Sequence, residues 1–214
     1  MTASGVFTAS SRKLGAMLDE RTVDPDPLHQ FEAWLEEARA AGVVFPETTA
    51  LATASADGSP SARMVLLKGA DGRGFVFFTN TGSRKGGELD ENPRAALVLY
   101  WRELGRQVRV EGRVEPVDPR ESEEYFGTRP RASRLSAWAS PQSEPVASRA
   151  ELERRFAQTA ARFPGDEIPL PPHWGGYRVV PETVELWEHR ENRLHDRVRY
   201  TREGTGWRRE RLAP

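Results

Sequence analysis

One segment of the chain carries a cation at each end and apolar residues between them. It reads Arg63-Met64-Val65-Leu66-Leu67-Lys68. If the segment forms a strand, alternate side chains share a face, which puts Arg63 and Lys68 on opposite sides. Such a strand can lie along an anion while its backbone hydrogen bonds stay intact. The alternative is an ordinary barrel strand whose charged ends are exposed to solvent.

In a second segment, residues 78–85, a strand end rich in hydroxyl groups leads into a helix. Arg84 and Lys85 fall in the first turn of that predicted helix. The free N–H groups of a helix N-terminus attract anions, whereas cations there oppose the helix dipole. Local conflicts of this kind are typical of functional sites. We therefore predict a phosphate site where the strand meets the helix.

A phenol, a guanidinium and a hydroxyl recur four residues apart, at Tyr125, Arg129 and Ser133. If the segment is helical, the three side chains converge on one side. Together they offer neutral and cationic donors of the kind that bind phosphate. Pro130 interrupts the helical geometry, so the spacing alone is only suggestive.

The stretch after Trp187 places Arg193, His195 and Arg197 at alternate positions. If the stretch is extended, the three side chains share one face. Two guanidinium groups beside the imidazole would lower the pKa of His195 and favour its neutral form at pH 7, which can hydrogen-bond to a substrate hydroxyl. The alternative is a charged edge strand in which Asp196 pairs with a neighbouring arginine.

The bulk composition disfavours several classes of protein. The 214 residues are 37% hydrophobic and carry a net charge of −1, which indicates a packed core without a global attraction to nucleic acid. Cysteine is absent, so disulfides and thiolate chemistry are excluded. The four histidines lack metal-ligand spacing, and no Rossmann or P-loop glycine motif occurs. Because no apolar run approaches the ~18 residues of a membrane span, we expect a cytoplasmic protein without metal, membrane or nucleic-acid partners.

The order of apolar patterns and turns predicts an α+β domain that is mainly β. Residues 1–24 are expected to form a flexible N-terminal arm, and residues 25–214 a single domain. Asp26 and Pro27 begin an amphipathic helix that ends at Gly42. Asp-Gly turns between short β segments then predict a meandering barrel or sandwich. Strands are expected at 49–55, 62–68, 74–79, 95–101, 107–114, 176–180, 184–187, 198–201 and 207–212, and further helices at 83–92, 119–126, 131–139 and 149–163.

Eight motifs in order, spread from about Pro27 to Pro214, resemble the pyridoxamine 5'-phosphate oxidase family. They are Arg63-Met-Val-Leu-Leu-Lys68, Thr79-Asn-Thr-Gly-Ser-Arg-Lys85, Gly105-Arg-Gln-Val-Arg109, Arg129-Pro-Arg-Ala-Ser133, Ala137-Trp-Ala-Ser-Pro-Gln-Ser143, Pro172-His-Trp-Gly-Gly-Tyr-Arg178, Glu191-Asn-Arg-Leu-His-Asp-Arg197 and Arg211-Leu-Ala-Pro214. One such match could arise by chance, whereas the ordered series is specific.

The resemblance implies an FMN-binding split β-barrel with peripheral helices that works as a homodimer, with FMN at the subunit interface. It assigns cofactor binding to Arg63, Met64, Val65, Leu66, Leu67, Lys68, Phe78, Thr79, Arg84, Lys85, Gln107, Gln142, Ser143, Trp187 and Arg197. It assigns substrate binding to Lys68, Tyr125, Arg129, Ser133, Arg193, Leu194 and His195. Arg193 and His195 would be the catalytic pair over the pyridine ring.

The reaction that the resemblance implies is oxidation of pyridoxine or pyridoxamine 5'-phosphate to pyridoxal 5'-phosphate. Hydride would pass from C4' of the substrate to flavin N5, and dioxygen would reoxidise FMN to give hydrogen peroxide. The protein would supply position and electrostatics, so no strong general base is required.

Two features depart from the family pattern. Many members carry a Met-Arg-x-x-Tyr-like element that closes over the substrate, and residues 1–24 do not contain it. Glu188-His189-Arg190 replaces the usual Gln-Gly-containing stretch after the tryptophan.

Three functions are alternatives to the oxidation of a pyridoxine or pyridoxamine phosphate. They are a flavin oxidase of secondary metabolism of the phenazine-assembly type, a flavin- or PLP-binding carrier without turnover, and a deazaflavin-dependent reductase.

Overall fold

Within residues 17–214, which the computed structural model describes, six antiparallel strands form a closed barrel. They are β1 (Thr48–Ala54), β2 (Pro60–Asp71), β3 (Gly74–Asn80), β4 (Arg94–Trp101), β5 (Arg106–Pro116) and β6 (Trp174–Glu188). The strands pair in the order β3-β2-β1-β4-β5-β6, and a β3–β6 pairing closes the ring. Two more strands, β7 (Asp196–Glu203) and β8 (Gly206–Arg211), extend the sheet from β6. The predicted class, mainly β with helices, is confirmed.

Five α-helices surround the barrel in the described part of the chain. They are α1 (Pro27–Ala40), α2 (Arg84–Glu91), α3 (Pro119–Thr128), α4 (Arg131–Ala139) and α5 (Arg149–Arg162). The side chain of Asp26 caps α1 by accepting from Leu28 N at 2.9 Å, as the sequence predicts. Phe31 on the same helix packs its ring against Phe75 inside the barrel core.

The flexible arm predicted for residues 1–24 includes residues that are packed in the structure. Residues 1–16 lie outside the described residues. Within the rest of the segment, Leu18 and Val23 are buried in the barrel core, and Tyr200 Oη donates to the carbonyl of Asp24 at 2.9 Å. Isolated apolar residues give no periodic signal, so the sequence did not predict this anchoring. The packed structure therefore begins by Leu18 and not after residue 24.

One long strand, β6, replaces the two short strands predicted at 176–180 and 184–187. It runs for 15 residues and includes Pro181, which lies in the gap between the two predicted strands. The pairing with β5 shifts here: Glu111 pairs with Thr183 and Gly112 with Pro181, so Glu182 of β6 has no partner of its own on β5. A Cβ on Gly112 would lie 2.0 Å from the carbonyl oxygen of Val180, so only glycine fits there. The bulge and its glycine let the proline stay inside a continuous strand.

Helix α2 lies against the backbone of the loop that precedes it. A Cβ added to Gly86 would lie 1.8 Å from the carbonyl oxygen of Thr81, whereas one added to Gly87 would meet nothing within 4 Å. The close approach at Gly86 fixes the first turn of α2, which carries Arg84 and Lys85. The position of these two cations therefore depends on a glycine that permits backbone contact.

The adjacent glycines of α2 provide a matched test of this contact. Gly86→Ala should lower the free energy of unfolding by about 2 kcal/mol, because overpacking against a backbone atom cannot be relieved by rotating a side chain. Gly87→Ala should be neutral or stabilising by up to about 1 kcal/mol, because alanine favours the helix. Urea unfolding followed by circular dichroism measures both variants, and equal effects would contradict the packing described.

Candidate active site

A cavity of about 980 Å³ is lined by β2, the β3–α2 junction and the α3–α4 connection. Its described lining contains five basic side chains and no carboxylate. The basic residues are Arg63, Lys68, Arg84, Lys85 and Arg129. A concave site with one sign of charge concentrates anions, and this volume can hold a cofactor-sized ligand.

Most of the predicted binding residues line this cavity. They are Arg63, Met64, Val65, Leu66, Lys68, Phe78, Thr79, Arg84, Lys85, Tyr125, Arg129, Ser133, Gln142 and Ser143. Leu67 does not line it, because its side chain is buried in the barrel core, where its backbone pairs with Phe77 on β3. The cavity thus brings together segments that are far apart in the sequence.

Lys68 lies at an irregularity in the pairing of β2 with β3. Leu67 pairs with Phe77 and Gly69 pairs with Val76, so the residue between them on β2 has no partner of its own on β3. A bulge of this kind re-aims a side chain. Lys68 is exposed and lines the cavity.

A buried carboxylate on α2 connects two of the basic side chains. Glu88 accepts a hydrogen bond from Arg63 at 3.0 Å and another from Arg84 at 2.8 Å. The hydroxyls of Ser61 and Thr53 donate to the same carboxylate at 2.6 and 2.5 Å. Burial alone would raise the pKa of Glu88, but the hydrogen bonds, first those from the hydroxyls, lower this pKa to about 2. Glu88 was not predicted as a site residue, because a glutamate in a short polar helix is expected to face solvent.

Lys85 is buried in the first turn of α2. Its ammonium donates to Ser83 Oγ at 2.9 Å, to Thr79 Oγ1 at 3.0 Å and to Gln142 Oε1 at 3.1 Å. Burial, and then the charge of Arg63, lower the pKa of Lys85 to about 8. The first turn of α2 contains no acidic residue, and the side chain of its N-cap, Ser83, accepts no hydrogen bond from the backbone N–H groups of the helix. This helix N-terminus can therefore accept an anion.

Three aromatic rings form one wall of the cavity. Phe78 stacks on Tyr125 with ring centroids 4.3 Å apart and on Trp174 at 5.5 Å. The guanidinium of Arg129 lies 4.9 Å from the Trp174 ring centroid. Its Nη1 atom is buried and has no hydrogen-bond partner in the described chain. Trp174 was not predicted as a site residue, because it reaches the cavity only through the pairing of β6 with β3.

Tyr125, Arg129 and Ser133 do not lie on one helix, so the helical condition for their convergence is not met. Helix α3 ends before Arg129, which has an extended backbone with ψ 145°, and α4 begins after Pro130. All three side chains nevertheless line the same cavity. The chain turns at Pro130, and this turn brings the first turn of α4 beside the end of α3.

The remaining predicted residues form a separate group that does not line the cavity. Gln107, Trp187 and Arg197 are lateral neighbours on β5, β6 and β7, on the face that points away from the barrel core. Arg197 donates to both oxygens of Glu185, at 2.9 and 3.0 Å. The His195 ring lies 4.7 Å from the Trp187 ring. We call this group the distal cluster; its members are Gln107, Trp187, Arg193, Leu194, His195 and Arg197.

The stretch before Arg197 is not extended, so the condition under which Arg193, His195 and Arg197 would share one face is not met. Residues Glu191–Arg193 form a 3₁₀ turn in which Asn192 and Arg193 have positive φ values of 56° and 61°. Strand β7 begins only at Asp196. Alternation along a strand therefore does not bring Arg193 and Arg197 to one face. Contacts with other parts of the chain determine the direction of the Arg197 side chain.

His195 is half-buried at the end of this loop. Burial, and then the neighbouring His189 and Arg193, lower the pKa of His195, which favours its neutral form at pH 7. The expectation that two arginines would flank the ring is only half right. Arg197 turns to Glu185, and the ring of His189 lies 5.1 Å from that of His195 instead.

Residues 17–214 contain neither a metal-binding cluster nor a membrane-spanning helix. No cluster of three or more His, Asp or Glu side chains in this range is arranged to bind a metal ion. No helix in the same range is long and apolar enough to cross a membrane.

Comparison with known proteins identifies relatives over nearly the whole chain. Residues 35–163 match the family described as Pyridoxamine 5'-phosphate oxidase, and residues 174–214 match the Pyridoxine 5'-phosphate oxidase C-terminal dimerisation region. A pyridoxine/pyridoxamine 5'-phosphate oxidase of Rubrobacter xylanophilus is 60% identical over 199 residues, covering 93% of this chain and 92% of that protein. Its counterpart in Burkholderia orbicola is 55% identical over 202 residues, covering 93% and 94%.

Solved structures show the same fold. PhzG from Burkholderia lata 383, determined in complex with tetrahydrophenazine-1-carboxylic acid, matches with a TM-score of 0.87 at 35% identity, covering 91% of this chain and 96% of that one. An FMN binding protein from Nostoc punctiforme matches with a TM-score of 0.71 at 20% identity, covering 89% and 100%. The chain therefore belongs to the pyridoxamine 5'-phosphate oxidase family, an FMN-dependent family of oxidoreductases.

Proposed function

We propose that the protein oxidises pyridoxine 5'-phosphate or pyridoxamine 5'-phosphate to pyridoxal 5'-phosphate, with dioxygen as acceptor and hydrogen peroxide as product. The observation that carries the proposal is the buried Nη1 of Arg129, which has no partner in the described chain and lies in a cavity without carboxylates. A buried guanidinium donor left unpaired is costly unless a ligand accepts from it. A substrate phosphate beside Tyr125 and Ser133 would do so. Lys68, which the β2 bulge turns into the cavity, adds a second cation.

The other cations of the cavity fit the phosphate of FMN. Arg63, Arg84 and Lys85 would bind it at the N-terminus of α2, where acidic residues are absent from the first turn. The apolar side chains of β2 that line the cavity, such as Val65, offer a surface for the flavin ring. When bound, FMN supplies the hydride acceptor and passes the electrons to dioxygen.

The proposed active site needs residues from two subunits. Trp174 lines the cavity, and Trp187 lies in the distal cluster thirteen positions further along the same strand, β6. At ~3.3 Å per residue, the strand separates these two positions by about 40 Å. A homodimer that places the distal cluster of one subunit over the cavity of the other would complete the site. The match of residues 174–214 to a dimerisation region supports this arrangement.

Within such a site, the polar groups of the chain would orient the substrate and need not remove a proton from carbon. Arg193 and His195 are the candidates for contact with the pyridine ring. His195 favours the neutral form at pH 7, so it can hydrogen-bond to a hydroxyl or amine. The cavity lining offers no carboxylate as a strong base, which agrees with a hydride transfer.

A second candidate function is a flavin oxidase of phenazine assembly. The structural likeness to PhzG of Burkholderia lata favours it. The phosphate cradle of Tyr125, Arg129 and Ser133 argues against it, since an unphosphorylated substrate would leave Arg129 unpaired. The sequence identity of 55–60% with pyridoxine/pyridoxamine 5'-phosphate oxidases also supports the first candidate.

Purified protein loaded with FMN should form pyridoxal 5'-phosphate from either phosphorylated substrate in air. Arg193→Ala should lower kcat by about a hundredfold, because the substrate is no longer held in a reactive position, while Kd for FMN changes less than twofold. Product absorbance and flavin fluorescence titration measure the two effects. Bound FMN without product formation would favour the phenazine-type function, and equal losses of turnover and FMN binding would contradict the role of Arg193.

Mixed dimers test whether the site is shared. Arg129→Ala damages the cavity and Arg193→Ala damages the distal cluster, so each homodimer should be nearly inactive. In a dimer of one subunit of each kind, a shared-site arrangement leaves one site with both arginines intact. After subunit exchange in equal amounts, activity should recover to about a quarter of wild type, because half of the dimers are mixed and each has one intact site. If each active site were formed by one chain alone, activity would not recover after subunit exchange.

The lowered pKa of Lys85 predicts a pH dependence of FMN binding. Its pKa falls from 10.5 to about 8, so the ammonium is present below about pH 8 and is lost above it. Kd for FMN should therefore rise about tenfold between pH 7 and pH 9, the value of one charge-assisted hydrogen bond. Fluorescence titration measures this, with riboflavin, which lacks the phosphate, as the reference ligand. In Lys85→Arg the rise should disappear; an equal rise in that variant would rule out Lys85 as its cause.

A further inference from the structure

The loop that carries Arg193 and His195 is anchored by a residue with no role in the proposed reaction. Arg190 lies two residues after the end of β6, and its side chain is 13% exposed. Its Nη2 donates to Glu188 at 2.7 Å, and its Nε donates to Asp196 at 2.6 Å. One guanidinium therefore connects the last residue of β6 to the first residue of β7.

The bridge resolves an electrostatic conflict in the sheet. Glu188 and Asp196 are direct partners in the β6–β7 ladder, and both side chains are buried. Like charges placed opposite each other destabilise an antiparallel pair. Arg106 approaches Glu188 at 3.2 Å and Arg211 approaches Asp196 at 2.6 Å from either side. Arg190 is the group between the two carboxylates, and removing it would leave them facing each other.

The same residue contacts His195 through its backbone. The N–H of Arg190 donates to Nδ1 of His195 at 3.1 Å. A nitrogen that accepts a hydrogen bond carries no proton, so a neutral His195 in this geometry carries its proton on Nε2. The imidazole then presents a donor at Nε2 and has no free acceptor. The neighbouring rings of Trp187 and His189, at 4.7 and 5.1 Å, limit its rotation.

We propose that Arg190 is a positioning residue: by bridging Glu188 and Asp196 it holds its own N–H on Nδ1 of His195, so that His195 faces the substrate only as a hydrogen-bond donor. The relevance of this donor to catalysis rests on the proposed function. The tautomer itself does not, because it is set by contacts within one chain. The Glu188-His189-Arg190 stretch, which departs from the family pattern, thus acquires a function in this protein.

The tautomer can be measured without substrate. In ¹⁵N-histidine-labelled, flavin-free protein, the nitrogen shifts of His195 above its pKa should show the Nε2–H form in the wild type. Arg190→Ala should give a mixture of both tautomers, and Arg190→Lys, which keeps the charge but cannot form the same two-sided bridge, should lie between. His195→Gln identifies the signal. Arg208→Ala is the matched control, because this arginine pairs with Glu203 and Glu210 on the β7–β8 hairpin.

A catalytic readout accompanies the spectra. Arg190→Ala should lower kcat about tenfold through misplacement of His195, with Kd for FMN unchanged and Arg208→Ala like wild type. A wild-type tautomer in both Arg190 variants, or an Nδ1–H form in the wild type, would overturn the proposal. If Arg190→Ala does not fold, the tautomer of His195 in Arg190→Lys alone tests the proposal. A wild type that forms no pyridoxal 5'-phosphate would reject the proposed function while the tautomer still tests this inference.

Discussion

The basic cavity depends on one buried carboxylate. Five cations in one concave site repel each other, and burial of an unpaired charge is costly. Glu88 offsets this by accepting from Arg63 and Arg84 together with two hydroxyls of β1 and β2. Three of these contacts, those with Arg63, Ser61 and Thr53, attach α2 to the barrel, and with α2 the buried Lys85. Charge balance and helix position are therefore determined by the same residue, and the anion-binding end of α2 follows from both.

Local chemistry made part of the fold predictable. The Asp26 cap, the Asp-Gly hairpins and the helices around the barrel follow from short-range rules, and the structure has them at nearly the expected bounds. The gap predicted between residues 180 and 184 was wrong because the place of Pro181 in β6 depends on Gly112, about seventy residues away and on another strand. The shared face expected for Arg193, His195 and Arg197 required an extended backbone, whereas two consecutive residues of the loop have positive φ. In the first case a tertiary contact outweighed the local pattern, and in the second the backbone conformation of the loop did.

The candidate site was predictable to the extent that its residues lie in motifs. The cations and hydroxyls of three segments proved to share one cavity. Glu88 and Trp174 were missed, because their roles arise from burial and from the β3–β6 closure, which no single segment reveals. Which subunit supplies which residue is also absent from a linear motif. The unbroken β6, which places Trp174 and Trp187 near opposite ends of one strand, supports the proposal that two subunits share the site.

The unbroken β6 has a consequence for a dimer with shared sites. Each copy of the strand would touch one active site through Trp174 and the other through Trp187. The two sites would then be mechanically coupled by a pair of rigid, hydrogen-bonded strands, and not merely placed side by side. A ligand that shifts the end of β6 in one site would alter the geometry of the other without any hinge or domain motion. Half-site behaviour, in which occupancy of one site changes turnover at its twin, is a property that this topology makes physically accessible.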